Sequence, residues 1–458
     1  MSVAAATLAT LVLAWSTPDE SVLRFCETPA DCGADGVCVA HTCRTGADQA
    51  EVTPLYRIAV PPPVVSGHGR SSAGTQALAD ALHAQLLADL RWSGLYDVMP
   101  AKALSASWRR EGASPAEVDR AAWQATGARR VMQIAVGPGK ASQAGAIPAI
   151  KIRIRVVEIA QFGVVDLAEG ARTLQTSEVR TASAAFVNAL VGVDTGIPGA
   201  IGTAIVGSTS TKLGVKEIAT TTTDGGGFTQ VTRNGSLNLG PAWGPDGVVG
   251  WMSYASGNPD WVVDGKPFSA RPGLNAAGAW SPNGRFLALS VAEAGNSEII
   301  LMDAVSGVEQ SRLTAHRAVD TSPAWSPDGR RVAYVTDRTG KPNIWIRSLI
   351  GRALDQLTHN GYNTSPDWSP NGHSLVYVRQ VGGGRFVIIR HDFATGEDHR
   401  LTRGRGSAES PSFSRDGRYI AYAHKIGKQA TLWIMDADGE RAHQVSPKSF
   451  FAPDWRKR

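Results

Sequence analysis

Cysteine is scarce in this chain and confined to one place: of 458 residues only Cys26, Cys32, Cys38 and Cys43 are cysteines, all within eighteen positions. Disulfide support is therefore limited to one short segment. The usual carriers of several chemistries are also missing. There is no Gly-Lys-Ser phosphate loop, no Gly-x-Ser-x-Gly nucleophile elbow and no His-Glu-x-x-His metal helix, and the ten histidines are dispersed. Charge of one sign is lacking too. The net charge is +5, and Lys and Arg are scattered through turns instead of forming a run, which describes a solvated surface and not a nucleic-acid footprint. The apolar stretch from Val3 to Ala14 has the length of a signal-peptide core and is too short to span a bilayer stably, although no basic residue precedes it. Residues 1–25 read as an export signal.

The cysteine gaps hold Pro29, Gly33 and Gly36, a small looped knot spanning residues 26–50. A structural zinc site pairs cysteines across two to four residues, so two disulfides are the better reading, with all three pairings open. Disulfides imply an oxidising compartment such as the periplasm.

What the chain has in abundance is one phrase. It reads Pro241-Ala-Trp-Gly-Pro-Asp-Gly247, Gly278-Ala-Trp-Ser-Pro-Asn-Gly284, Pro323-Ala-Trp-Ser-Pro-Asp-Gly329, Pro366-Asp-Trp-Ser-Pro-Asn-Gly372, Pro411-Ser-Phe-Ser-Arg-Asp-Gly417 and a truncated Pro453-Asp-Trp455. The aromatic recurs at intervals of 37, 45, 43, 45 and 42 residues. Such a period, with strand-like runs between turns, marks a β-propeller built of four-stranded blades. Within the phrase, proline presets φ, aspartate or asparagine tolerates the bridge conformation, and glycine takes the left-handed position that closes a hairpin. The region before the first phrase supplies only later strands, at Val215–Ala219 and Phe228–Thr232, whereas Pro453–Trp455 supplies only a first strand. Joining the two ends completes a sixth blade and removes an open edge.

Ahead of the ring the pattern is mixed. Tyr56–Val60 reads as a strand, and Leu78, Leu82, Leu86 and Leu90 form one helical stripe. Ser114-Pro-Ala-Glu117 is a capping box opening a second helix. Arg130–Val136 and Ile150–Ile159 are alternating strands, the latter with Lys151, Arg153 and Arg155 on a solvated face, and Ala182–Leu190 is a final helix. The expected organisation is an α/β N-terminal domain at 51–190, a Gly-rich linker at 191–214, and a six-bladed all-β propeller at 215–458 closed by the C-terminus.

Scaffold positions answer to folding, whereas loops that differ from blade to blade are free to specify a partner. The connections preceding each phrase carry Asn238, Asn275, His316, Arg317, Asp320, Thr321, Tyr362, Asn363, Thr364, Glu409, Ser410 and Phe450, the candidate partner-binding residues at the channel mouth. The repeated tryptophans read as packing between sheets. Asp303, Asp392 and Asp436 read as turn acceptors, and Asp337-Arg338 as a local salt bridge. No catalytic or metal set, and no cofactor, is indicated.

Asp89-Leu-Arg-Trp-Ser-Gly-Leu-Tyr96 and Trp123-Gln-Ala-Thr-Gly127, placed ahead of the ring, make residues 52–458 resemble the TolB family, the periplasmic component of the Tol-Pal system. That resemblance implies a non-enzymatic periplasmic adaptor, peripheral to the membrane through its partners. Its ring would receive a Pal-like peptidoglycan-associated lipoprotein and its α/β domain would contact a TolA-like inner-membrane protein, supporting outer-membrane integrity and constriction during division. The cysteine insert departs from the family, as does the polar run Thr220–Thr223. The rival readings are a propeller enzyme, a polysaccharide lyase or peptidase remnant recruiting His316, Arg317 and Glu409, and an extracellular scaffold or sensor.

Overall fold

The computed structural model describes residues 36–39, 42–45, 56–66, 72–104, 120–139, 149–160, 163–293, 295–351 and 353–457. It divides into two compact units, Met1–Ile201 and Gly202–Arg458. Strands Gly36–Val39 and Thr42–Thr45 pair antiparallel, with Cys38 opposite Cys43. Cys26 and Cys32, like the Ser114–Glu117 capping box, lie outside the described residues, as do the side chains of Cys38 and Cys43.

In the first unit, strands Tyr96–Val98, Tyr56–Ala59 and Arg130–Pro138 run parallel and continue into the antiparallel strands Ala149–Ala160 and Gly163–Gln175. Helix α1 (Ser72–Trp92) buries Leu78, Leu82, Leu86 and Leu90, the stripe expected from their spacing. They meet Ile150, Ile152 and Ile154 of the sheet and Phe186, Val187 and Leu190 of a later helix in one core. That helix, Val179–Thr195, outruns its expected end at Leu190 and stops at Gly196, which takes φ 80°. The strand Gly163–Gln175 was not expected. It covers part of the face presumed solvated: Arg155 is buried and paired with Asp166, while Arg153 stays exposed on Glu169.

The second unit is a ring of six four-stranded sheets, whose inner strands are Asn238–Trp243, Asn275–Trp280, Asp320–Trp325, Asn363–Trp368, Ser407–Phe413 and Phe451–Trp455. We number the blades 1 to 6 in that order. Blade 6 joins the two ends of the unit: Phe451–Trp455 pairs with Ala204–Lys212, which pairs with Val215–Thr222 and then Thr229–Gln230. Trp455 stands opposite Ile205 and Phe451 opposite Ser208.

The stretch 191–214 is therefore not a linker. Its first residues finish a helix and Ala204–Lys212 is the second strand of the closing blade. Its Gly-Ser-Thr character suits the site, because Gly207 lies under the Phe450 ring, where a Cβ would come within 2.2 Å. Thr220–Thr222 likewise belong to a strand.

The phrase itself makes the turn that joins inner and second strands. Ser281, Ser369 and Ser414 donate to Asn283, Asn371 and Asp416 at 2.7, 2.7 and 2.6 Å and accept the N–H of Phe286, Ser374 and Tyr419. Gly284 (φ 70°) also packs on Pro245 of the preceding blade, where a Cβ would meet the ring at 2.7 Å. Both requirements fix glycine there.

Candidate partner-binding face and channel

Strand polarity sorts the connections. Turns between inner and second strands, and between third and fourth strands, lie on one face of the ring. Hairpins between second and third strands, and the links from one blade to the next, lie on the other, the loop face.

Every inner strand carries the same irregularity. The residue three before the aromatic, Gly240, Ala277, Ser322, Ser365, Ser410 or Ala452, has φ between 46° and 53°. The pairing with the second strand slips at the same place in all six blades. Proline follows in five blades and glycine (Gly278) in blade 2. Proline has no N–H to give a ladder, so the strand bulges, and a non-glycine residue held left-handed costs roughly 1–2 kcal/mol. This strained ring helps line a central cavity of about 410 Å³.

The residue before each aromatic divides the channel wall. In blades 1 to 3 it is Ala242, Ala279 and Ala324; in blades 4 to 6 it is Asp367, Ser412 and Asp454. These polar groups are occupied. Asp367 accepts the N–H of Phe413 at 2.8 Å, Ser412 that of Trp455 at 3.0 Å, and Asp454 that of Trp243 at 2.7 Å. Lys457 crosses from blade 6 to Asp367 at 2.5 Å. Burial pushes the Asp454 carboxyl up to about 6, with the neighbouring Asp367 adding to the rise and Lys457 opposing it. Among the described residues no group of three or more His, Cys, Asp or Glu is placed to hold a metal ion.

The twelve expected partner-binding residues separate into two sets. Asn238, Asn275, Asp320, Asn363 and Phe450 are fully buried and cannot meet a partner. The Asn238 amide donates to Lys216 O at 3.0 Å and accepts from Ser253 at 2.8 Å; Asn275 donates to Arg271 O at 2.7 Å and accepts from Ser269 at 2.8 Å. Asn363 donates to Asn360 O at 2.8 Å and accepts from Arg379 at 3.1 Å. These groups fasten the incoming link to the sheet, because a buried link must find partners for its own polar backbone. Asp320 pairs with Arg338 at 3.2 Å, which replaces the expected Asp337–Arg338 bridge; Asp337 instead accepts the Val319 N–H at 2.9 Å. Burial raises the Asp320 pKa.

His316, Arg317 and Tyr362 are exposed on the loop face. The His316 ring nitrogen accepts the Ala318 N–H at 3.1 Å, and Tyr362 meets Phe386 edge-on at 6.1 Å between centroids. Thr321, Thr364, Glu409 and Ser410 are half-buried; Glu409 lies 3.7 Å from Lys425 and Ser410 belongs to the strained ring. His316, Arg317 and Glu409 do not line the channel cavity and do not assemble an acid–base set there. The aromatics of the phrase also divide by burial: Trp368, Phe413 and Trp455 are buried and Trp243, Trp280 and Trp325 part-exposed, and all but Phe413 line the cavity. Asp303 and Asp392 accept backbone N–H groups of their turns, and Asp436 pairs with Arg441.

Sequence reasoning found Tyr362 but missed the other apolar residues of the loop face. Leu213, Tyr254 and Ile426 are exposed at hairpins between second and third strands, and Val231 and Val319, like Tyr362, at links between blades. An apolar residue between polar turn residues gives no periodic signal, so only the topology collects them on one face.

A family model described as the TolB beta propeller domain matches residues 194–457. A "Protein TolB homolog" of Chlorobium luteolum is 30% identical over 223 residues, 47% of this chain and 49% of that protein. A "Tol-Pal system protein TolB" of Anaeromyxobacter sp. (strain K) is 30% identical over 269 residues, 57% of this chain and 59% of that protein. The chain thus spans about half the length of the curated relatives it matches. The crystal structure of TolB from Acinetobacter baumannii superposes with a TM-score of 0.70 at 23% identity, covering 88% of this chain and 96% of that one, a likeness of fold.

Proposed function

Because the chain belongs to the TolB β-propeller family, we propose that it is a periplasmic, non-enzymatic protein–protein adaptor of a Tol-Pal-like envelope system. The loop face of the ring receives a Pal-like peptidoglycan-associated lipoprotein, the α/β domain contacts a TolA-like partner, and the assembly supports outer-membrane integrity and constriction during division.

The observation that carries this reading is the loop face. Leu213, Val231, Tyr254, Val319, Tyr362 and Ile426 come from five of the six blades and their links and are exposed on this side, with Tyr254 and Tyr362 as aromatic anchors, whereas the opposite face exposes the aliphatic Val305, Val308, Leu349 and Ile350. Exposed apolar and aromatic groups rimmed by polar loops are the composition of a reversible protein interface, with a few aromatic anchors dominating its energy. The channel supports the same conclusion by its chemistry. Its carboxylates are committed to backbone N–H groups and Lys457, and so frame the ring.

Calorimetric titration of the soluble domain of the Pal-like lipoprotein, with wild type and with Tyr254→Ser plus Tyr362→Ser, tests it. Two lost anchors weaken binding at least about 10-fold, roughly 1.4 kcal/mol. Unchanged affinity removes this face from the interface.

A further inference from the structure

Blades 3, 4 and 5 carry a tyrosine at the same place in the second strand, Tyr334, Tyr377 and Tyr422, and their surroundings differ. Tyr334 is fully buried, its hydroxyl sealed without a hydrogen-bond partner among the described residues, and the Arg338 guanidinium, held by Asp320, lies 5.6 Å from its ring. The Tyr377 hydroxyl donates to Asp398 at 2.8 Å. In blade 5 neither arrangement exists. Ala408 stands where Asp320 and Asn363 stand in the other two blades, and the link is held instead by Arg385, which donates to Gly404 O at 2.8 Å, and by His424, whose ring nitrogen lies 3.0 Å from Arg405 O. The Tyr422 side chain is 4% exposed. Instead of being sealed, it lines a cleft of about 500 Å³ between blades 4 and 5.

The walls of that cleft are unlike those of the channel. Trp433 lies 6.4 Å from Tyr422 and 4.9 Å from His424, centroid to centroid, with Leu401 and Phe386 alongside. At the loop-face end, the link Arg403-Gly-Arg-Gly406 turns through two left-handed glycines, Gly404 (φ 92°) and Gly406 (φ 85°). That backbone presents Arg403 and Arg405 at the mouth, both exposed and neither paired with a carboxylate among the described residues. Asp438 and Glu440 line the far end.

We propose that this cleft binds a polypeptide segment bearing a carboxylate. The carboxylate sits between Arg403 and Arg405, and the adjoining side chain packs on Trp433 beside Tyr422. Two observations point to such a guest: an aromatic wall and a pair of unneutralised guanidiniums. Guanidinium pairs recognise carboxylates through directed hydrogen bonds. The cationic mouth and acidic far end give the groove a polarity that an extended chain with its acid toward the loop face would match. The proposal does not depend on the loop-face reading, since it rests on a different set of residues.

The test uses the full chain and the indole ¹H–¹⁵N resonance of Trp433, assigned by its loss in Trp433→Phe. The probes are acetyl-Glu-Leu-amide, acetyl-Gln-Leu-amide and acetyl-Leu as the free acid. Saturable shifts are expected with a carboxylate probe in the millimolar range, at least 5-fold weaker with the Gln peptide. Response to the Glu peptide assigns a side-chain carboxylate, and response to acetyl-Leu a chain terminus. Arg403→Ala with Arg405→Ala weakens binding at least 5-fold while circular dichroism is unchanged. Ala408→Asn, which fills the cleft, abolishes it. Equal shifts with the Gln peptide, no shift with any probe, or wild-type affinity in the double arginine variant overturns the proposal.

Discussion

Neighbouring blades are tied at the inner-strand aromatics, and different parts of the ring make that joint differently. Trp325 and Trp368 donate their indole N–H to the carbonyls of Ala279 and Ala324 at 3.0 and 3.2 Å. Phe413 has no indole nitrogen, and there the preceding blade supplies Asp367 to catch its backbone N–H at 2.8 Å. Ser412 and Asp454 repeat that device for Trp455 and Trp243, which flank the seam where the ends of the ring meet. One joint relies on a side-chain donor and a backbone acceptor, the other reverses the roles. The repeat conserves the joint's geometry and not its chemistry, so the polar half gains titratable groups that the apolar half lacks.

The sharpest way to break the comparison is at the seam. Trp455→Ala removes a fully buried indole that also donates to Thr203 at 2.7 Å, and should cost about 3–5 kcal/mol. Trp243→Ala, part-exposed at the neighbouring joint, should cost distinctly less, on the order of 1–2 kcal/mol. Denaturant unfolding of both variants measures the difference, and equal losses would show that the seam is no weaker point than its neighbours. Next in size is Asp367→Ala. It leaves the Phe413 N–H and Lys457 without their acceptor, and a loss of about 1–3 kcal/mol is expected in the same assay.

The acid–base consequence has a definite sign. Asp454, raised by burial from its ordinary 3.8 to about 6, binds its proton more tightly folded than unfolded. Its stabilising contribution is complete below pH 3.8 and is lost as pH climbs through about 6. Asp398 is opposite: against the effect of burial, hydrogen bonds from His391, Tyr377 and Arg379 hold it well below the usual carboxylate range. Its contribution is present above the ordinary value and lost on strong acidification. Melting curves from pH 4 to 7 should therefore show a falling component of about 1–3 kcal/mol that Asp454→Asn flattens. A profile unchanged by that substitution would mean that Asp454 titrates normally. The smallest effect is expected for Ser412→Ala, about 1 kcal/mol, because only one neutral hydrogen bond is lost.

The ring was legible because its signal is turn chemistry. Ser-Pro-Asp-Gly at a fixed place fixes the hairpin whatever surrounds it, and the unmatched Pro453–Trp455 already required a partner at the other end. Ala204–Lys212 was not legible: Gly207, Ser208 and Ser210 look like linker residues until Phe450 is seen lying over Gly207. Gly163–Gln175 was missed because its interrupted pattern, with Gly170 and Ala171 among charged residues, shows no clean alternation. The site was legible only in part. Asn238, Asn275 and Asn363 look like free loop residues in a sequence, yet their partners, such as Lys216 and Arg379, lie well apart along the chain. Nor does a sequence announce that Ser322, Ser365 and Ser410 hold left-handed backbone, since serine is not the residue that conformation favours.

Hydrogen exchange on the ring, with and without the soluble domain of a Pal-like lipoprotein, puts the central claim to the most direct test. The account predicts slowed exchange at 254–259, 316–319, 360–362 and 426–428, all on the loop face, with the Ser-Pro-Asp-Gly turns unaffected. Protection confined to those turns, or absent from the ring altogether, would contradict it.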